Sequence, residues 1–168
     1  MGQSINGFDE ILAPYLKKSY DKYLELFKDE EHKEDLAHRM MMKELKDGIQ
    51  TVQYQIQTLN TSNGQAPFVT LFLNFNPNGK YAEYAALICE EILKQRIQGV
   101  KNSDGIYITP SFPKLIYCLD DHNINKDSKY YYLTELAAKC TAKRMYPDYI
   151  SAKKMKELRD GEVYTCMG

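Results

Sequence analysis

Long apolar runs are missing from this sequence: no stretch approaches the roughly 18 residues a spanning helix needs. The first 30 residues carry Asp9, Glu10, Asp21 and Glu25, which a signal peptide would not tolerate. Net charge is missing too. Lys and Arg number 22 against 23 Asp and Glu, a balance of −1, so no whole-molecule field draws the chain to nucleic acid or to an anionic membrane. Paired cysteines are also absent. Cys89, Cys118, Cys140 and Cys166 form no CxxC motif, which fits reduced thiols better than a disulfide framework or a zinc site. There are no internal repeats and no low-complexity tracts. The expectation is a soluble, cytoplasmic chain with no nucleic-acid or membrane partner.

What remains is 168 residues with 43% hydrophobic content, enough for one core that buries roughly 70% of the unfolded surface. From Phe8 to Phe27 apolar residues recur at helical spacing, predicting an amphipathic helix that Ser4 or Asn6 could cap. Pro14 lies inside this stripe and implies either a separate first turn or a kink. A second long helix is predicted from Asp29 to about Leu59, charged at first and then carrying Met40, Met41, Leu45, Ile49, Val52, Ile56 and Leu59 inward.

Loop chemistry follows at Asn60 to Pro67. The β-branched and aromatic run Phe68 to Phe75 then reads as a strand buried on both faces, as in a parallel sheet. Tyr81 to Gln98 is helical by periodicity, with Gly99 placed for a left-handed C-cap. A second strand is predicted over Ile106 to Leu119, where Pro110 and Pro113 argue for an edge, a bulge or a bend. Ser128 would cap a helix from about Lys129 to Lys143. Pro147 to Ile150 is extended, and Ala152 to Leu158 is a weak helical turn. The fold class is therefore α/β: two long N-terminal helices followed by βαβαβ, with right-handed crossovers.

Signals for chemistry are sparse. His32 and His38, six residues apart on a charged helix, point to different faces. His122 in Asp120-Asp121-His122-Asn123 reads as a solvated acidic loop before it reads as a metal site. Gly79-Lys80 sits where a phosphate could meet free N–H groups, but an ordinary turn is the simpler reading. Tyr130, Tyr131 and Tyr132 at a helix start look interfacial. Cys89, Cys118 and Cys140 lie in apolar patterns and read as buried structural thiols, while Cys166 stays open.

Several stretches in order nevertheless resemble one family. They are Gly2-Gln3-Ser4-Ile5 with Phe8-Asp9 and Leu12-Ala13-Pro14-Tyr15, the run from Gln57 to Thr70, Lys94 to Gly99, Ile108 to Ile116, and Ala142 to Ser151. Together they resemble the catalytic subunit of the anaerobic (class III) ribonucleoside-triphosphate reductases, glycyl-radical oxidoreductases that supply deoxyribonucleotides for DNA replication. The resemblance implies that residues 1–168 are a single partial domain, a helical region over 1–60 and a βαβαβ segment of the family's ten-stranded α/β barrel over 61–168. A relative of the formate lyases is disfavoured, because the matched loops are those of the reductases.

In that family a thiyl cysteine follows a Met-Gly pair, so it would come after Gly168, and Cys166 does not take its role. The expected chain is thus an internal fragment with no catalytic residue and no metal or cofactor of its own. The family's glycyl radical, made by a separate S-adenosylmethionine/iron–sulfur activase, and its structural zinc would lie outside this segment. Gln3 and Ser4 are candidates for effector-nucleotide contact, and Asn63 and Gln65 for the substrate side. Partners implied are ribonucleoside triphosphates, effector nucleotides, the remaining parts of the reductase, and a second copy in a homodimer. The alternative is a non-catalytic nucleotide-binding or interaction module derived from that enzyme.

Overall fold

The computed structural model describes residues 2–59, 64 and 67–164. The chain opens with a strand, not with a helix cap: β1 (Gly2–Asn6) is followed by α1 (Phe8–Leu26) and α2 (Lys33–Thr58). Neither Ser4 nor Asn6 caps α1. Gly7 takes the N-cap position in the left-handed conformation, with no side-chain cap, a backbone that glycine adopts at little cost. Pro14 sits inside one continuous helix, at an exposed position, where water can meet the carbonyl it leaves without a donor.

β2 (Phe68–Leu73) then leads through a turn to α3 (Ala82–Gln98). A two-residue antiparallel pair follows, β3 (Val100–Lys101) with β4 (Tyr107–Ile108). β5 (Lys114–Leu119), the short α4 (Asp121–Ile124), α5 (Tyr131–Arg144), β6 (Asp148–Ser151) and α6 (Ala152–Leu158) complete the order.

The main sheet has four strands in the order β1-β2-β5-β6, and every pair is parallel. The stretch read as one interrupted strand from Ile106 to Leu119 is therefore two elements. Its prolines fall between β4 and β5 rather than within β5, so β5 keeps its ladder donors and lies inside the sheet, not at its edge. Ser128 does not cap α5, whose N-cap is Tyr130; the Ser128 hydroxyl donates instead to the Asp121 carbonyl at 3.0 Å.

Strand alternation divides the sheet into two faces. Leu71 and Leu73 of β2, with Leu115 and Tyr117 of β5, pack against Ala13, Leu16, Met41, Ile49, Ile88, Ile92 and Leu133 from α1, α2, α3 and α5. Phe72, Ile116 and Cys118 point the other way and meet Ala152 and Val163. The long crossover helices thus share one face, and among the described residues the opposite face carries only a small apolar cluster.

At the start of β5 two arginines organise the backbone. Arg96 is fully buried and donates to the Pro110 carbonyl at 2.8 Å and to that of Pro113. Its guanidinium lies 5.3 Å from the centre of the Tyr146 ring. Arg144 donates to the last carbonyls of α3, Ile97 at 3.0 Å and Gln98 at 2.6 Å, placing a cation where the helix dipole is negative. Between them Gly99 adopts φ 82°, ψ −172°, an extended mirror-image conformation open only to glycine and not the left-handed cap its position suggests. A Cβ there would lie 2.4 Å from the Ile108 carbonyl oxygen and 2.7 Å from Arg144 Nη2. Gly99→Ala is expected to cost about 2–3 kcal/mol, read as a lower urea midpoint at unchanged slope.

Candidate functional site at the carboxyl ends of the strands

In parallel α/β sheets, ligands collect at the carboxyl ends of the strands, where loops gather and helix N-termini point outward. Here that end is built by the turns after β1, β2 and β5. After β1, the Gly7 amide donates to the Phe72 carbonyl at 3.0 Å, tying the first turn of α1 to β2. Asp9, one residue into that helix, is fully buried. Its Oδ1 accepts the Glu10 amide at 3.1 Å and the Asn74 amide at 3.3 Å, while its Oδ2 is buried with no hydrogen-bond partner. Burial pushes the Asp9 carboxyl up to about 7, against the pull of those backbone donors.

After β2, Asn76 to Gly79 form a turn: the Gly79 amide donates to the Asn76 carbonyl at 3.0 Å and the Asn78 amide to Asn76 Oδ1 at 3.0 Å. The Gly79 N–H is therefore already used, and Lys80 lies over the Tyr81 ring at 5.3 Å. The phosphate reading of Gly79-Lys80 loses to the turn. After β5, Asp120 and Asn123 make a reciprocal capping box for α4. Asn123, buried, also donates to the Cys118 carbonyl at 2.9 Å. The acidic segment is thus capped into a short helix, with Asp121 left exposed to solvent. His122 is half-buried, its ring 5.3 Å from Phe75 and 6.0 Å from Tyr130, and burial lowers its pKa. Lys156 of α6 reaches Asp120 Oδ2 at 3.3 Å.

Of the residues singled out from sequence, Gln3 and Ser4 lie on β1 with opposite orientations. Gln3 is in register with Val69 and Ser4 with Thr70, so Gln3 shares the helix-bearing face and Ser4 the other. Gln3 is exposed, whereas the Ser4 hydroxyl is buried with no hydrogen-bond partner. The strand does not bring them together as one contact. Asn63, Gln65 and Cys166 lie outside the described residues. His32 and His38 border one open concavity of about 520 Å³ at the turn between α1 and α2, beside Glu30, Glu31 and Asp35. His32 precedes the helix, so helical spacing does not separate the two.

Cys89, Cys118 and Cys140 are free and buried. Burial raises all three thiols, Cys118 to about 12 and Cys140 to about 11, which makes them inert packing groups at neutral pH. Among the described residues no three His, Cys, Asp or Glu side chains are placed to hold a metal ion.

Asp9 and Asn74 were not singled out by sequence reasoning. The signal was present: Asp9, Ala13 and Leu16 fall on one helical stripe, and all three are buried. A second concavity, about 270 Å³, lies between α2, the end of α3 and the β3–β4 pair. Gln50, Gln53 and Gln95 line it together with Tyr54, Lys101 and Tyr107.

The sequence pattern of the family described as anaerobic ribonucleoside-triphosphate reductase matches residues 1–168, the whole chain. The chain belongs to the anaerobic ribonucleoside-triphosphate reductase family. The reductase of Enterobacteria phage T4 is 38% identical over 165 residues, 96% of this chain and 26% of the phage protein. That of Haemophilus influenzae is 37% identical over 153 residues, 89% of this chain and 21% of the relative. The Escherichia coli anaerobic ribonucleoside-triphosphate reductase is 35% identical over 170 residues, 99% of this chain and 23% of its own length. The chain spans about a quarter of the length of these curated reductases. No helix among the described residues is long and apolar enough to cross a membrane.

Proposed function

We propose that the chain is one arc of the catalytic barrel of an anaerobic ribonucleoside-triphosphate reductase and works only together with the remaining parts of that enzyme. The observation that carries this is the strand order. Four parallel strands follow one another in chain order, and their long crossover helices pack on a single face. That winding is how strands run around an α/β barrel, whereas doubly wound sheets reverse their order and carry helices on both faces. The chemistry of the whole enzyme would be reduction of ribonucleoside triphosphates by glycyl and thiyl radicals with formate as reductant. The described cysteines support a scaffold role, since each is buried with its thiol pushed up. No catalytic step is assigned to them.

The test is reconstitution under anaerobic conditions with activase, S-adenosylmethionine, formate and a ribonucleoside triphosphate. The chain alone is expected to form no deoxyribonucleotide, and polypeptides carrying the rest of the family sequence should restore turnover. Turnover by the isolated chain would overturn the reading.

A second reading, nucleotide binding without chemistry, is favoured by the glutamine-lined concavity beside Lys101 and Tyr107, whose amides and aromatic ring suit a nucleobase. Thermal unfolding with dATP, dTTP, dGTP and ATP separates the two. A nucleotide at 100 times its dissociation constant should add about 2.7 kcal/mol, and Lys101→Ala should reduce the gain. No shift with any of the four would remove this reading.

A further inference from the structure

We propose that Asp9 is a protonation-dependent strut that sets how the carboxyl end of β2 sits against the first turn of α1, and so tunes the strand-end site through Asn74. The geometry is that of a carboxyl group serving two backbones. Its Oδ1 receives one amide from its own helix and one from the residue that follows β2, at 3.1 and 3.3 Å. The opposite oxygen is sealed from solvent without a donor. As a neutral acid, Asp9 accepts both amides through its carbonyl oxygen, and its hydroxyl proton is the only unmatched element. As a carboxylate, it strengthens both amide bonds but leaves a full charge buried with one oxygen bare.

The titratable groups that bear on it electrostatically do not relieve that charge. Among the described residues they are Glu10 on α1, Cys89 on α3, and Tyr117 and Cys118 on β5, and none of the four is a cation. Losing the proton must therefore draw in water or shift the turn. The Gly7 amide holds that turn to the Phe72 carbonyl at 3.0 Å, so the movement is passed to the end of β2. The next side chain there is Phe75, which packs edge-on against Tyr130 with ring centres 5.0 Å apart and also touches His122. A change at Asp9 thus reaches the aromatic cluster that walls the strand-end site. Burial holds the carboxyl near neutrality, so both forms are populated in the range where cells operate.

The experiment is an NMR pH titration of the chain between pH 5.5 and 8.5, following the Asn74 and Glu10 amides and the Asp9 carboxyl carbon. All three signals should move together with a midpoint near neutral. Asp9→Asn should abolish the Asn74 and Glu10 shifts, while His122→Gln, which removes the other group expected to titrate nearby, should leave them. A flat Asn74 amide in the wild-type chain would overturn the proposal, and so would a titration that persists in Asp9→Asn or vanishes in His122→Gln. If Asp9→Asn fails to fold, the wild-type carboxyl titration and the His122→Gln control still decide. The readout needs no nucleotide or radical, so its failure leaves the reductase reading intact.

Discussion

Arg96→Met is expected to destabilise the chain by about 4 kcal/mol, because it strands two buried backbone carbonyls at a typical cost of 1–3 kcal/mol each and removes packing against an aromatic ring. The guanidinium meets the Pro110 and Pro113 carbonyls and the Tyr146 ring, with no carboxylate among these partners. Proline makes the problem acute, since neither residue contributes an N–H that could rearrange into a local turn bond. Burial lowers the Arg96 pKa to about 10, so it remains protonated at neutral pH and keeps its donors. Arg96→Lys should recover only part of the loss, because an ammonium lacks the planar fork that spans two acceptors. Urea unfolding monitored by circular dichroism measures both variants, and a loss below 1 kcal/mol for Arg96→Met would show that the clamp is dispensable.

Stability is expected to fall as pH rises from about 4 to about 8, with Asp9 contributing up to about 4 kcal/mol of the change at 1.36 kcal/mol per pKa unit. The direction follows from the folded state holding its proton more tightly. The Asp9 carboxyl lies near 7 when folded, against 3.8 for an unhindered one. Below 3.8 both states are protonated and the contribution is complete. Between 3.8 and 7 the unfolded chain loses its proton first, and the contribution drains away until the folded group also ionises. Asp9→Asn should flatten this slope. Its net stability above pH 7 will be smaller than the slope suggests, since an amide NH2 with two N–H donors then occupies the unpartnered side, at about 1–3 kcal/mol for each donor left unmet. Unfolding curves at pH 5, 6, 7 and 8 for both proteins provide the measurement, and parallel pH profiles would refute the assignment.

The helices were legible from the sequence because their apolar residues repeat at 3.6: α2, α3 and α5 begin and end within a few residues of the periodic patterns. β1 was not legible. Gly2-Gln3-Ser4-Ile5-Asn6 has one β-branched residue, and its extended form comes from pairing with β2 rather than from local preference. The reading of Ile106 to Leu119 failed for a different reason. Prolines mark discontinuity without saying which side of it pairs, and only the sheet decides that Lys114–Leu119 is interior.

The candidate site was less visible than the fold. His122 was noticed for its acidic neighbours, but its surroundings are aromatic, because Phe75 and Tyr130 arrive from distant parts of the chain. Asp9 was counted as a charge unfit for a signal peptide, although its place on the buried stripe of α1 was already implied by spacing. Arg96 is hidden for a different reason: nothing local says that a basic residue in a helix will be swallowed by two prolines further along.

The in-order arrangement of β1, β2, β5 and β6 has a bearing on synthesis. Each strand pairs with the one made just before it in the main sheet, so a chain leaving the ribosome meets its template already assembled and need not wait for a later segment to fill a gap. A doubly wound sheet of the same size must hold an edge open until a distant strand appears. N-terminal-first folding therefore suits this sequence, and the step that waits longest is the docking of β2 on β1, because α1 and α2 must emerge and pack between them.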